Sequence, residues 1–304
     1  MRFFSFAILP YFSYNLNISY QLSVVSCQLL GGRNMVWVIV AAAVLAVVWV
    51  FLIFPGKASP EAKAPFTGRT FAHRGLYELD QSVPENSLTA FRRAVEAGYG
   101  AELDVQMTKD GQVVVFHDDD LKRGCGVDGR ICDMTLAELQ ALRLFGTEER
   151  IPLFAEVLEI FGGKQPLIVE LKYAPNWKPL SDATRKMLAE YPGQACIESF
   201  HPAIVRDFRL NDPERVRGQL SQQAHLYKGA IPGYQAFAMS RLLTNVATRP
   251  DFIAYCIGPK PLSVRLCEKL GAMRICWTAR DEKRHGEQVR KNDAVIFEGY
   301  RPEE

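Results

Sequence analysis

From Arg69 onward, short apolar runs rich in Val, Ile, Leu and Cys alternate with stretches of helical period. The runs at 70–73, 101–105, 113–117, 167–171, 195–199, 216–220, 252–256, 273–278 and 294–297 predict strands. Between most of them lie patterns such as SLTAFRRAVEAG, where Leu88, Phe91, Val95 and Gly98 fall at helical spacing and Asn86 or Ser87 can cap the start. Repeated strand-helix-strand units imply a parallel sheet, and the length beyond Arg69 matches one eight-stranded barrel, so the expected fold is an irregular (β/α)8 TIM barrel of the α/β class. A doubly wound open sheet is the competing architecture. The candidate strands number one too many, and the connection Gln106–Gln112 is too short for a crossover helix, which places the irregularity around the second and third strands. Residues 118–150 are the longest interruption and read as a small insertion after the third strand, over one barrel end. Within it MTLAELQAL predicts a short helix capped by Thr135.

Upstream the pattern changes. Val36–Phe54 is nineteen residues without a polar side chain, ended by Pro55. As a helix it would cover about 28 Å, roughly one hydrocarbon core, so one N-terminal transmembrane helix is expected at 36–54. The run is too long for a signal peptide, and Pro55-Gly56-Lys57 is no cleavage site. Arg33 on one side against Lys57, Lys63 and Arg69 on the other favours a single-pass protein with its C-terminal portion in the cytoplasm. Met35 immediately precedes the run and is read as the true start, which would leave residues 1–34 as an untranslated extension. Residues 55–68, rich in Pro, Ala and Lys, have no apolar period and are expected to be a linker; the barrel is assigned to 69–304.

Composition excludes one class of partner. Over 304 residues, 36 basic side chains balance 34 acidic ones at a net charge of +2, distributed along the chain, so there is no basic stripe for a nucleic-acid backbone. No obligate protein partner is evident. Cys196, Cys256 and Cys276 lie inside strand-like runs and read as reduced core residues, whereas Cys125 and Cys132 share a loop-like segment and could pair in an oxidising compartment.

The candidate chemistry comes from polar residues interrupting apolar strands. In AELDVQM, Glu102 and Asp104 stand two apart and therefore on one face. In PLIVELKYA, Glu170 and Lys172 repeat the device, and VVVFHDD ends a third strand in His117 and Asp118. Two like charges buried together need a cation between them. The three carboxylates of the first two of these strands, Glu102, Asp104 and Glu170, all offer oxygen, with no Cys nearby, which suits one divalent ion, Ca²⁺ or Mg²⁺. His73 and His117 would take and give protons near neutral pH, and Arg74 and Lys172 would add fixed positive charge. An anionic substrate is expected, a phosphodiester fitting best.

These residues resemble the glycerophosphodiester phosphodiesterase family. The resemblance runs through AHRG (72–75), PENSLTAF (84–91), AELDVQMTKDGQVVVFHDDDLKR (101–123), VELK (169–172), ESF (198–200) and CWT (276–278), covering about 69–300. It implies a β/α barrel with an insertion after the third strand, and metal-dependent hydrolysis of small glycerophosphodiesters to glycerol phosphate and an alcohol. Carried over, His73 and His117 are the acid/base pair, and Glu102, Asp104 and Glu170 the metal ligands. Arg74 and Lys172 hold phosphate and substrate, and Trp277 walls the pocket. Phe297-Glu298 departs from the family's Thr-Asp or Thr-Asn pair, which bears on the last loop and the choice of head group. The runner-up activity is lysophospholipase D type cleavage of membrane lysolipids, to which the anchor lends weight; a non-catalytic tethered barrel that binds phosphorylated head groups is the alternative of another class.

Overall fold

The computed structural model describes residues 32–302, with only the backbone of 32–34. The extension 1–34 therefore lies almost wholly outside the described residues. The chain divides into two compact units, up to Phe51 and from Leu52 onward. The first carries most of a helix spanning Gly32–Ile53, of which Met35–Ile53 is long and apolar enough, by length and composition, to cross a membrane.

The second unit is a closed barrel. Its strands are β1 (Arg69–His73), β2 (Gly100–Met107), β3 (Val113–Val115), β4 (Leu167–Leu171), β5 (Ala195–Ser199), β6 (Arg217–Ser221), β7 (Phe252–Cys256), β8 (Met273–Ala279) and β9 (Ala294–Phe297). Eight of them pair in parallel, and β1 closes the ring by pairing with both β2 and β9, which excludes the open doubly wound sheet. The surplus strand is β3, which pairs antiparallel with β2, Val105 opposite Val115. The short Gln106–Gln112 connection thus makes a hairpin, which needs no crossover helix.

Helices Leu88–Glu96, Phe154–Phe161 and Trp177–Glu190 pack outside the strands, where Phe91, Phe154, Phe161 and Leu180 meet Leu103, Val105, Val169 and Leu171. Ser87, rather than Asn86, caps the first of these, its Oγ accepting from Ala90 N at 3.1 Å. Residues 118–150 follow β3 and gather a core of their own around Phe116, Leu121, Ile131, Leu139 and Leu144. Thr135 and Glu138 form the capping box of its helix Leu136–Gln140. Cys125 and Cys132 carry free thiols. A second excursion, which the strand pattern does not announce, follows β6 and carries the helices Gly233–Ser240 and Asn245–Thr248.

The stretch expected to be a linker is folded onto the barrel floor. Asn245 Nδ2 and Arg249 Nη1 donate to the carbonyls of Ile53 and Phe54 at 3.2 and 2.9 Å. Gly56 N donates to Pro250 O at 2.7 Å, and Ala58 N to Asp251 Oδ1 at 3.0 Å. A four-residue helix, Pro60–Lys63, then delivers Phe66, 2% exposed, into the barrel interior beside Phe71, Phe252 and Ile296. Composition hides this because the docking groups are mostly backbone amides and carbonyls, which any residue supplies.

Candidate active site

The inward-facing register changes character along the barrel. Phe71, Ile168, Cys196 and Ile296 fill the interior with apolar side chains. Two residues further along each strand direction, on the same face, stand His73, Glu170, Glu198 and Glu298. The strands therefore lead from a hydrophobic floor to a ring of titratable groups at their carboxyl ends, where barrel enzymes carry their sites.

Glu102, Asp104 and Glu170 converge there: all three are buried, and one carboxylate oxygen of each lies within 4.8 Å of the others. Lys172 Nζ lies between two of them, 2.8 Å from Asp104 Oδ1 and 2.9 Å from Glu170 Oε1. Asn86 Nδ2 donates to Asp104 Oδ2 at 2.8 Å, and Arg74 N to Glu102 Oε2 at 3.3 Å. Arg74 adopts φ +55°, a left-handed conformation costing about 1 kcal/mol or more outside glycine. Its carbonyl accepts from Asn86 N at 2.8 Å, so both of its peptide groups are tied to the site.

Electrostatics make the carboxylates unequal. Burial, and after it repulsion from Asp104, Glu170 and Glu198, pushes Glu102 well above the usual carboxylate range. Burial also raises Glu170 despite Lys172, and raises the neighbouring Glu198 strongly. Asp104 goes the other way: burial alone would raise it, but Lys172, His117 and Arg74 together hold it well below that range. The site thus gathers more acidic groups than its own cations satisfy. Asp104 Oδ1 is buried, with Lys172 Nζ 2.8 Å away as the cation against it. A cluster of buried, under-neutralised oxygen donors fits a hard divalent cation.

Each expected imidazole is held at Nδ1 by a carboxylate. His73 Nδ1 lies 2.5 Å from Glu298 Oε2, with Nε2 3.7 Å from Glu102 Oε2. His117 Nδ1 lies 2.7 Å from Asp118 Oδ1. With Nδ1 so tied, Nε2 is the atom each ring has free for proton transfer. Burial and the charge of Arg74 lower the His73 pKa, and the Glu298 carboxylate held at Nδ1 acts against them. Arg280 Nε at 2.6 Å and Tyr77 Oη at 3.2 Å complete the shell around Glu298.

Arg74 does not project freely into the mouth: Nη1 is 2.7 Å from Glu85 Oε1. Glu85 also accepts from Arg123 of the insertion at 2.6 Å, and Arg123 Nε reaches Asp118 Oδ2 at 2.6 Å. An unbroken chain of charged contacts therefore links both arginines to the carboxylate on His117. Trp277 lies further around the barrel, donating Nε1–H to Ala254 O at 3.1 Å and standing edge-on to Phe200 with centroids 5.8 Å apart. His201 caps the helix Pro202–Asn211, Nδ1 accepting from Ala203 N at 3.3 Å, as its place before Pro202 suggests. His285, set in a polar stretch of sequence, is nonetheless buried, with Nδ1 2.7 Å from Tyr300 Oη.

Sequence reasoning did not assign Glu298, Glu85, Asp118 or Glu198 a part in the site. Glu298 had a readable signal, because Ile296-x-Glu298 repeats the apolar-then-acidic alternation of Ile168-x-Glu170. Glu85 sits in a loop without period, and only its place in the PENSLTAF motif marks it.

Burial alone would raise the Glu298 carboxyl, but the bond from His73 and the charge of Arg280 hold it down to about 2, against an ordinary 4.5. A depressed acid stabilises the fold above its unfolded value and loses that contribution as pH falls through the folded one. The Tm advantage of the native chain over Glu298→Gln is therefore expected to be full at about pH 6 and reduced at about pH 3. An advantage that stayed constant between those pH values would refute the ionised pair.

Eight parallel strands with their acidic groups gathered at the carboxyl ends define a TIM-barrel protein with a candidate divalent-metal centre. Comparison with known proteins narrows the class. The model of the glycerophosphoryl diester phosphodiesterase family matches residues 73–299, and the chain belongs to that family. A glycerophosphodiester phosphodiesterase of Caldanaerobacter subterraneus is 38% identical over 50% of this chain and 65% of its own length. A lysophospholipase D of Rattus norvegicus is 35% identical over 42% of this chain and 44% of its own. The matched part thus spans less than two thirds of both relatives. An Oleispira antarctica phosphodiesterase, solved in complex with the product sn-glycerol-3-phosphate, shares the fold at a TM-score of 0.63, covering 78% of this chain and 94% of that one at 24% identity.

Proposed function

We propose that the protein hydrolyses glycerophosphodiesters, transferring the phosphoryl group to water and releasing glycerol phosphate and an alcohol. The observation that carries this reading is the buried triad Glu102, Asp104 and Glu170 with two carboxylate-held imidazoles beside it. The names and the solved product complex of its relatives agree with it.

Glu102, Asp104 and Glu170 would hold one Ca²⁺ or Mg²⁺ ion, which supplies Lewis-acid stabilisation of the charge on the phosphoryl oxygens. Lys172 adds a fixed positive charge at the same place, and Arg74 a second, behind Glu85. His73 and His117 divide the proton work. One takes the proton of the attacking hydroxyl at Nε2, and the other returns a proton to the departing alkoxide, together contributing about 10²- to 10⁴-fold. Asp118 and Glu298 keep both rings oriented, and Trp277 backs the wall formed by Phe200.

Incubation with glycerophosphocholine and Ca²⁺ or Mg²⁺ is expected to release glycerol phosphate and choline, with turnover abolished by a chelator and restored by adding back the ion. Activity that persisted through exhaustive chelation would sink the metal assignment, and no turnover of any glycerophosphodiester would sink the function.

Residues Met35–Ile53 would anchor the protein as a single span with the barrel on the cytoplasmic side. The protein should then stay in the membrane pellet after alkaline carbonate washing, with its barrel protected from external protease in intact cells. Release into the wash would remove the anchor, and digestion in intact cells would reverse the orientation.

A further inference from the structure

A cleft of about 810 Å³ opens at the floor of the barrel, where the docked stretch after Ile53 meets the turns that feed β8 and β9. Ala58, Pro60 and Lys63 line it from that stretch, and Arg265 and Lys269 from the helix Leu262–Lys269. Its charges do not balance. The two acids of the lining are already committed: Glu268 Oε1 lies 2.5 Å from Lys260 Nζ, and Asp293 Oδ1 lies 2.7 Å from Arg274 Nη2. Lys63 Nζ donates only to a carbonyl, Gly271 O at 2.9 Å. Arg265 and Lys269 are exposed and pair with no acid among the described residues, and the same holds for Lys57, next to the lining. Against these four cations stands Glu61, exposed on the helix Pro60–Lys63.

What lies against this end of the barrel follows from the chain. Ile53, the last residue of the apolar span, is buried within the barrel's own compact unit, its carbonyl accepting from Asn245 Nδ2 at 3.2 Å. Ala58 comes five residues later, so even at full extension it stays within about 18 Å of the end of the span. The head-group layer outside the hydrocarbon is about 5 to 8 Å deep, and charge is felt for a further Debye length of about 8 to 10 Å. Unpaired cations held at that range are matched by anionic lipid. A concave lining that sets Ala64, Ala272 and Met273 among the basic groups suits a phosphate carried on an organic stem.

We infer that the floor cleft is a docking surface for the phosphate head groups of anionic phospholipids, in the bilayer that Met35–Ile53 crosses, and that it holds the barrel floor against the lipid surface. This rests on the anchor reading of that span. The surface is separate from the carboxylate triad, so it sets where the enzyme sits and leaves the chemistry alone.

The test places the full chain in nanodiscs of phosphatidylcholine alone or with roughly one third phosphatidylglycerol. Each basic side chain close to an anionic surface is worth about five-fold in affinity. Phosphatidylglycerol is therefore expected to raise Tm and to shield Lys63 and Lys269 at least about five-fold from an amine-reactive label, both effects fading near 1 M salt, where the Debye length falls to about 3 Å. The triple variant Lys63→Gln, Arg265→Gln, Lys269→Gln should keep the native Tm in phosphatidylcholine and lose most of the rise, with glycerophosphocholine turnover within about two-fold of native. Inorganic phosphate added to phosphatidylcholine discs should leave both lysines open to the label. Equal shielding by the free ion would make the cleft a soluble-anion site and overturn the lipid assignment. Equal Tm and labelling in both lipid compositions, or a full rise in the triple variant, would overturn the inference while leaving the anchor intact. A chain that does not stay with the discs would instead overturn the anchor reading, and this inference with it.

Discussion

Replacing His117 by Ala is expected to lower kcat on glycerophosphocholine by about two decades or more while leaving Tm close to the native value. The ring is held at Nδ1 by Asp118 and borders the cavity beside Glu170 and Lys172, so its removal takes away a proton carrier at the phosphoryl site. It takes away little else. The side chain keeps 32% of its exposure, and Asp118 retains Arg123 Nε at 2.6 Å, so no buried charge is orphaned. Partial recovery of turnover by added imidazole would show that the lost group is the proton carrier and not a packing element. Turnover within about three-fold of native would remove His117 from the mechanism.

Asp104→Asn should be more damaging, because it strikes the fold and the site together. Asp104 is 1% exposed and forms a buried ion pair with Lys172, and removing one partner of such a pair costs about 3–5 kcal/mol. A marked fall in Tm is expected, with turnover down by about three decades through loss of a proposed ligand. The double variant Asp104→Asn, Lys172→Met separates the two effects: it should recover much of the Tm and none of the turnover. Recovery of turnover in the double variant would mean that Asp104 serves only to balance Lys172.

Much of this arrangement was legible in the residues. Most barrel strands announced themselves by an apolar run, since strands covered on both faces leave little polar sequence between them, although β6 carries Arg217, Gln219 and Ser221. The triad was equally visible, because a carboxylate inside such a run is costly and period-two spacing fixes its face. Less visible was what long-range closure brings together. Glu298 reaches His73 only because β9 pairs with β1, a contact across 225 positions of chain. The excursion after β6 escaped notice for a different reason. Its helices are short and weakly patterned, and large apolar residues such as Tyr234 and Phe237 stay exposed beside buried ones such as Leu242, so no clear core stripe marks them.

The same logic applies to the stretch between Ile53 and Phe66, which looks like spacer but is stitched to Asn245, Arg249, Pro250 and Asp251. A protease that nicked the chain just after Phe66 would therefore not shed an intact catalyst from its leader. It would uncork the barrel, leaving Phe71 and Phe252 facing water from below, and the liberated piece should aggregate rather than diffuse away as a soluble isoform. Any trimmed version meant to survive in solution has to begin ahead of Leu52.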